Sequence, residues 1–338
     1  DPHRPAVFVA AEPNPRTFAT TLMLADALRR PVLLPVANNR QFGLLEVGPL
    51  AAAPDRLEAY MRLGLAGDRH PAISLFLAAV VLERIRQILA PLPSDVLPNR
   101  PLCVSLGLRG LRARIEEPVY LVGLGGIGAP AALLLMNFAS TLILLDQDIA
   151  EPSNRARAPW LVPGQPKVHS VAEFARFLAS RMGSSSLPKL QPRVEKVTSA
   201  DFLESSLSPA SVVAAVDNWA ARALLSQVTV ERCRARQQVL LINAGCSPSG
   251  ASVNPIGGPY GSACLAHRHP DLDLLAAREQ AVSCARMPTA SILYTNWAAA
   301  ALAVLSLLAV PEPLSAEYNC QNPDRLYVRR TSRCPCFL

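Results

Sequence analysis

Val119-Tyr-Leu-Val runs directly into Gly123-Leu-Gly-Gly-Ile-Gly128, and an apolar helical stretch follows to Ala139. A short buried strand that ends in closely spaced glycines and re-enters as a helix admits few architectures. Gly123, Gly125 and Gly128 form G-x-G-x-x-G, with Gly126 as an additional glycine. The physical use of that spacing is a tight turn, a close backbone approach to phosphate, and a helix N-terminus facing the anion. Taken alone, the pattern reads as a dinucleotide site.

The segments around it fix the class. Apolar runs at Thr141–Leu145, Ser211–Val216 and Val239–Ala244 read as strands. Lys167–Arg181 and Trp219–Arg236 between them read as helices. Strands alternating with helices predict a doubly wound, Rossmann-like α/β fold with a mostly parallel sheet covered on both faces. Upstream, Ala6–Ala10 and Pro31–Val36 read as strands around a helix at Pro15–Arg30. Leu57–Leu65 and Ile73–Leu89 read as helices, and a short strand is expected at Leu102–Leu106. Pro71 and Pro288 each lead a long apolar helix, a proline-rich stretch and a strand. That parallel order divides the chain into a smaller N-terminal α/β region, residues 1–115, and a second region, residues 116–338. On this reading the first region is a degenerate, glycine-loop-free copy of the second.

The residues after the glycine loop point away from hydride transfer. The next strand ends Asp146-Gln-Asp148, and an acid about 20 residues beyond the glycines suits a ribose hydroxyl. Asn154, Arg157 and Lys167 follow, in Ser153-Asn154-Arg155-Ala-Arg157 and Gly164-Gln-Pro-Lys167. Such a set binds a triphosphate and stabilises charge developing at a phosphoryl group. A strand ending in Asp217-Asn218 offers an acid at the C-terminal edge of the sheet, where Mg²⁺ can sit beside phosphates. In this order the motifs resemble the ThiF/MoeB/HesA superfamily, the adenylation fold shared with ubiquitin-activating enzymes, over about residues 116–310.

The resemblance implies ATP and Mg²⁺, with Asp148 on the ribose and Asn154, Arg157 and Lys167 on the phosphates. It implies a loop-supporting role for Asp146, Asp217 on magnesium, and Arg222 behind the Asp217-Asn218 turn. It implies adenylation of the C-terminal carboxylate of a small ubiquitin-like or sulfur-carrier protein ending in glycine. A peptide-modifying adenylyltransferase acting on a ribosomal precursor peptide is the alternative. For the ubiquitin-like or sulfur-carrier partner the resemblance places a nucleophile at Cys284, which would take the acyl group as a thioester or acyl persulfide and hand it to a conjugating enzyme. The family's first Asp in the Asp-Asn strand is Ala214 here. Relatives work as dimers in which an Arg is donated across halves, so a homodimer or an intramolecular pseudo-dimer is expected, with Arg4 and Arg16 as donors.

Cysteine and charge usage complete the sequence expectations. Cys264-Leu-Ala-His267 and Cys334-Pro-Cys336 fall where relatives carry zinc pairs, and a Cys₃His site suits Zn²⁺. Cys103, Cys233, Cys246 and Cys320 read as core residues. The chain begins at Asp1 without a methionine or a secretory signal, which reads as a trimmed, cytoplasmic, reduced protein. Net charge is +7, but the basic residues are scattered arginines with only three lysines, so no nucleic-acid partner is expected. The apolar run Thr289–Val310 carries Asn296 and Ser306, and a buried helix is expected there rather than a membrane span.

Overall fold

The computed structural model describes residues 8–9, 32–37, 41–47, 70–89, 102–105, 108–181, 187–203, 209–258, 264–272, 274–275, 277, 293–319, 326–329, 334 and 336. The chain divides into two compact units, one of residues 1–108 and 318–327, the other of residues 109–317 and 328–338.

In the first unit, β1 (Phe8–Val9), β2 (Val32–Ala37), β3 (Gln41–Val47) and β4 (Leu102–Ser105) pair in chain order. β1 and β2 are parallel; the other pairings are antiparallel. Helix α1 (Pro71–Leu89) packs on β2 and β3. Its interior charge is compensated: Arg86 grips both carboxylate oxygens of buried Glu83 at 2.8 Å. The helices expected at Pro15–Arg30 and Leu57–Leu65 lie outside the described residues.

The second unit opens with a short strand, β5 (Gly110–Leu111), before β6 (Val119–Val122), α2 (Gly128–Leu135) and β7 (Thr141–Leu145). α3 (Lys167–Arg181), β8 (Lys189–Arg193), β9 (Ala210–Ala214), α4 (Trp219–Arg234) and β10 (Val239–Ser247) follow. Beyond these come β11 (Gly250–Gly257), α5 (Leu265–Arg268), α6 (Leu293–Leu308) and β12 (Ala309–Val310), then β13 (Ser315–Asn319) and β14 (Leu326–Arg329), whose residues are divided between the two units. β5 and β12 form a small antiparallel pair.

The main sheet runs β14-β13-β11-β10-β9-β6-β7-β8, and β10, β9, β6, β7 and β8 are mutually parallel. Both residue sets of the central strands are buried. Tyr120, Val122, Ile143, Leu145 and Val212 share one cluster with Leu225 and Val228 of α4. Leu121, Leu142, Leu144, Val213 and Ile242 are buried as well, and α2 and α6 cover the sheet without joining that cluster. Two-sided burial is why these strands read as continuous apolar runs rather than alternating ones.

The chain leaves β6 toward β7 and β8, then returns to β9 and β10 on the other side. The strand order therefore reverses between β6 and β9, and the crevice at their carboxyl ends is where open α/β sheets bind ligands.

Several element ends shift by one or more residues from the sequence reading, and the instructive differences are at α2, β8 and the β10–β11 hairpin. α2 stops at Leu135 rather than Ala139, because the chain there turns into tighter hydrogen bonds, Asn137 N–H to Leu134 and Phe138 N–H to Leu135. The edge strand β8 is Lys-Leu-Gln-Pro-Arg, too polar to announce itself. The β10–β11 hairpin turns through Pro248-Ser249, outside the run read as a strand. α6 is 16 residues long, and no helix among the described residues is long and apolar enough to cross a membrane.

The α6 hydroxyl of Ser306 is fully buried and donates to the Leu314 carbonyl at 2.7 Å. Ser306→Ala should cost about 1 kcal/mol or somewhat more in urea denaturation, because that carbonyl loses its partner inside the protein.

Candidate nucleotide site and metal cluster

The glycine loop is shaped by three different constraints. Gly123 has φ +87°, and a Cβ there would lie 2.8 Å from the Ala215 carbonyl oxygen. Gly128 packs its Cα against the loop's own backbone: a Cβ would fall 1.8 Å from the Gly123 carbonyl oxygen. Gly125 has open space where a side chain would be. The first two glycines thus serve chain packing, and the third leaves room for a ligand to reach the backbone. Ile127 at the start of α2 gives no side-chain cap, and the first turn holds no acid. In the first turn the Ala129 N–H is bonded to the Gly125 carbonyl and Pro130 has no N–H, so what the helix offers an anion is chiefly the positive end of its dipole.

Asp146, at the end of β7, fastens the loop. One of its oxygens accepts the Leu124 N–H at 2.6 Å, and the other accepts the Asp148 N–H at 2.8 Å. Burial raises its pKa against the opposing pull of Lys167 and these two N–H donors. Asp148 is half-exposed, and its carboxylate pairs with the Lys167 ammonium at 2.7 Å. The two residues assigned to ribose and phosphate are thus neighbours, placed there because Lys167 opens α3 and its N–H donates to the Asp148 carbonyl.

Asn154 sits in a 3₁₀ turn over Pro152–Ala156, where its side-chain oxygen accepts the Glu151 N–H at 2.9 Å. Arg157 ends that turn half-buried, and no hydrogen bond or ion pair holds its guanidinium to another described residue. Its carbonyl accepts from the Trp297 indole N–H at 3.3 Å.

On the β9 side, the Ala215 N–H donates to the Val122 carbonyl, and two residues later Asp217 is exposed. Asn218 is the N-cap of α4, its side chain accepting the Ala221 N–H at 2.7 Å. That is a structural use of an amide the sequence places in the cofactor set. Arg222 lies one turn into α4 and donates to the Val216 carbonyl, to the Ala244 carbonyl at 2.8 Å and to Asn243 at 2.5 Å. The turn that carries Asp217 is held from behind by this fork. Cys284 lies outside the described residues, as do Arg4 and Arg16.

Two residues here escaped sequence reasoning. Asn296 of α6 is 3% exposed, and its amide oxygen lies 2.5 Å from where a Gly126 Cβ would be. The Cys246 thiol, read as core, donates to that oxygen at 3.4 Å. An Asn inside an apolar helix was the available signal.

Away from the crevice, Cys264, His267, Cys334 and Cys336 converge with all ligand atoms within 4.8 Å of one another. Cys264 Sγ is 3.7 Å from both Cys334 Sγ and Cys336 Sγ. His267 Nδ1 is 3.1 Å from Cys264 Sγ and 3.5 Å from each of the other two sulfurs. Tetrahedral zinc with ordinary bond lengths separates sulfurs by about 3.8 Å and sulfur from imidazole nitrogen by about 3.5 Å. The side chains fit that ion. Burial, aided by hydrogen bonds with Cys264 and Cys334, pushes the Cys336 thiol up to about 11.

An open α/β sheet with a glycine loop at its switch point is an architecture that gathers ligands at the carboxyl ends of its strands. The ThiF family model matches residues 104–327, and the chain belongs to the ThiF family, within the ThiF/MoeB adenylyltransferase superfamily. ATP-dependent adenylation is the reaction typical of that superfamily. SAMP-activating enzyme E1 of Haloferax volcanii is 32% identical over 128 residues, 37% of this chain and 45% of that protein. The chain therefore matches less than half the length of that relative. Among solved structures, E. coli MccB superposes with a TM-score of 0.50 at 18% identity, covering 65% of this chain and 63% of that one. The microcin C7 biosynthetic enzyme MccB in complex with N-formylated MccA gives the same TM-score and identity over 65% and 66%. At that identity the likeness establishes the fold.

Asp146→Ala should destabilise the protein by about 2 kcal/mol or more, because it strands the Leu124 and Asp148 N–H groups. The pH dependence has a definite sign. A carboxyl whose folded pKa is raised binds its proton more tightly folded than unfolded, so its contribution to stability rises as pH falls through the raised value. The stability of wild type relative to Asp146→Asn should therefore increase on acidification, as read by urea midpoints across a pH series.

Proposed function

We propose that the chain adenylates a polypeptide carboxylate, and that its substrate is a ribosomal precursor peptide. The observation that carries the reaction type is the meeting of unlike groups at one switch point. The open face of Gly125, the Asp148–Lys167 pair and the Asp217 turn all adjoin the ends of β6, β7 and β9. A phosphoryl-transfer site needs such cations and an exposed acid; a hydride-transfer site does not.

In this mechanism ATP lies with its phosphates along the loop and its ribose toward Asp148. A substrate carboxylate oxygen attacks the α-phosphorus, the bond from that phosphorus to the bridging oxygen of pyrophosphate breaks, and acyl-adenylate and pyrophosphate result. Lys167 and Arg157 stabilise the charge that accumulates on the α-phosphoryl oxygens. Asp217 is suited to hold Mg²⁺, which would neutralise phosphate charge, although Ala214 leaves it without the family's second acid.

The structural likeness to MccB, held with N-formylated MccA, supports a peptide over the ubiquitin-like or sulfur-carrier partner expected from sequence. That second reading is retained because the Haloferax relative at 32% identity is a SAMP-activating enzyme. It requires Cys284 to attack the acyl-adenylate and release AMP. Arg4 or Arg16 would act only if the N-terminal region or a second copy serves as a donating half.

ATP–pyrophosphate exchange tests the chemistry. Lys167→Ala and Arg157→Ala should each lower exchange by roughly 100-fold, the usual loss when one transition-state donor is removed. Exchange driven by a short peptide and indifferent to Cys284→Ala supports the leading reading. Exchange driven only by a glycine-terminated folded protein, with a thiol-sensitive adduct lost in Cys284→Ala, supports the second.

The Cys₃His cluster is proposed as a structural zinc site. Metal analysis of purified protein should give about one zinc per chain, and Cys264→Ser should lose it together with several degrees of thermal stability. Metal-free protein with an unchanged melting temperature would contradict this.

A further inference from the structure

The identity of Gly126 is not explained by the loop's own backbone packing. Its φ lies outside the left-handed region, so backbone strain does not demand glycine. The three atoms nearest to a Cβ there all belong to Asn296: its Oδ1 at 2.5 Å, Cγ at 2.8 Å and Nδ2 at 3.3 Å. These are atoms of a short side chain that is itself 3% exposed and has little room to withdraw.

Asn296 is conspicuous on its own element. It lies in Leu293–Leu308, a helix otherwise built from alanine, leucine and valine over most of its length. An apolar residue of similar volume would fill the same space without the desolvation penalty of an amide. Its surroundings are specific. The Cys246 thiol at the end of β10 donates to its oxygen. The neighbouring Trp297 donates its indole N–H to the Arg157 carbonyl. Trp297 also stacks on Trp160, with ring centroids 6.4 Å apart. One turn of α6 therefore touches the glycine loop, the turn that carries Arg157, and the end of β10.

We propose that Asn296 is a positioning residue for the nucleotide: its amide closes over Gly126 and fixes the glycine loop against α6. α6 in turn sets the distance from loop to Arg157 through Trp297. This deepens the adenylation reading and rests on it. Asn296 does not touch the nucleotide; it acts through the loop that does.

Direct ATP binding to the full chain, by calorimetry, tests this with Gly126→Ala, Asn296→Ala and their combination. The folded state of each variant is verified by its nucleotide-free melting temperature. In the wild-type background Gly126→Ala should weaken ATP binding about tenfold, mid-range for the coupling of groups in direct contact. In the Asn296→Ala background the same change should cost less than about threefold, because the obstruction is gone. Asn296→Ser provides the relieved background should Asn296→Ala not fold. Relief of an overlap is ordinary packing compensation, so positioning is read from Asn296→Ala alone, which should itself weaken ATP binding about threefold; unchanged ATP binding in that variant would overturn the proposal. Equal losses in both backgrounds, or a Gly126→Ala protein that binds ATP as wild type does, would overturn the proposal. A wild-type chain that binds no ATP would instead overturn the adenylation reading beneath it.

Discussion

The Asp146 carboxylate joins the parts of the crevice that must not drift apart. It ends one strand, holds the glycine loop by the Leu124 N–H, and holds its own chain two residues on by the Asp148 N–H. Each bond is a charge-assisted contact in a poorly hydrated place, the kind that carries more than an ordinary hydrogen bond. Burial works against the charge, and the folded protein tolerates it because Lys167 and two N–H donors are turned toward it. Through Asp148 the same carboxylate reaches Lys167 and so the start of α3. Loosening it would release the glycine loop, Asp148 and Lys167 together.

The other half of the crevice is backbone packed on backbone. Gly128 lies against the Gly123 carbonyl, and Gly123 lies against Ala215, so the residues just after β6 and β9 approach more closely than a side chain would permit. That approach brings the Asp217 turn beside the loop, and Arg222 keeps the turn in place from within α4. The proposed chemistry then needs little motion from the protein. Preorganised cations and N–H groups at a developing charge are the largest contribution such a site can make.

Much of this was legible in the residues. Buried parallel strands announce themselves as apolar runs, and the glycines, Asp146, Asp148 and Asp217 follow strand ends, where an open α/β sheet gathers its ligands, while Lys167 opens α3. β8 and β11 were missed for physical reasons. An edge strand such as Lys189–Arg193 has one neighbour and keeps polar residues. The β10–β11 turn contains a proline that interrupts the apolar pattern. Asn218 shows a different limit. The sequence pairs it with Asp217, but could not show that its side-chain oxygen caps α4 while its Nδ2 donates to the Asp217 carboxylate at 3.4 Å. Asn296 and Cys246 could not be assigned from sequence because their contacts span 50 residues between β10 and α6. The Cys₃His cluster was readable as residue types but not as geometry, since Cys264 and Cys334 are 70 residues apart.

The central claim is that the α-phosphorus of ATP is presented between the glycine loop and the cations of the 3₁₀ turn and α3. A crystal structure of the chain with a non-hydrolysable ATP analogue tests it most directly. The account predicts phosphates running past the open face of Gly125, the ribose hydroxyls on Asp148, and Lys167 and Arg157 turned toward the α-phosphoryl oxygens. A nucleotide bound elsewhere, or one whose α-phosphate is remote from both cations, would contradict it.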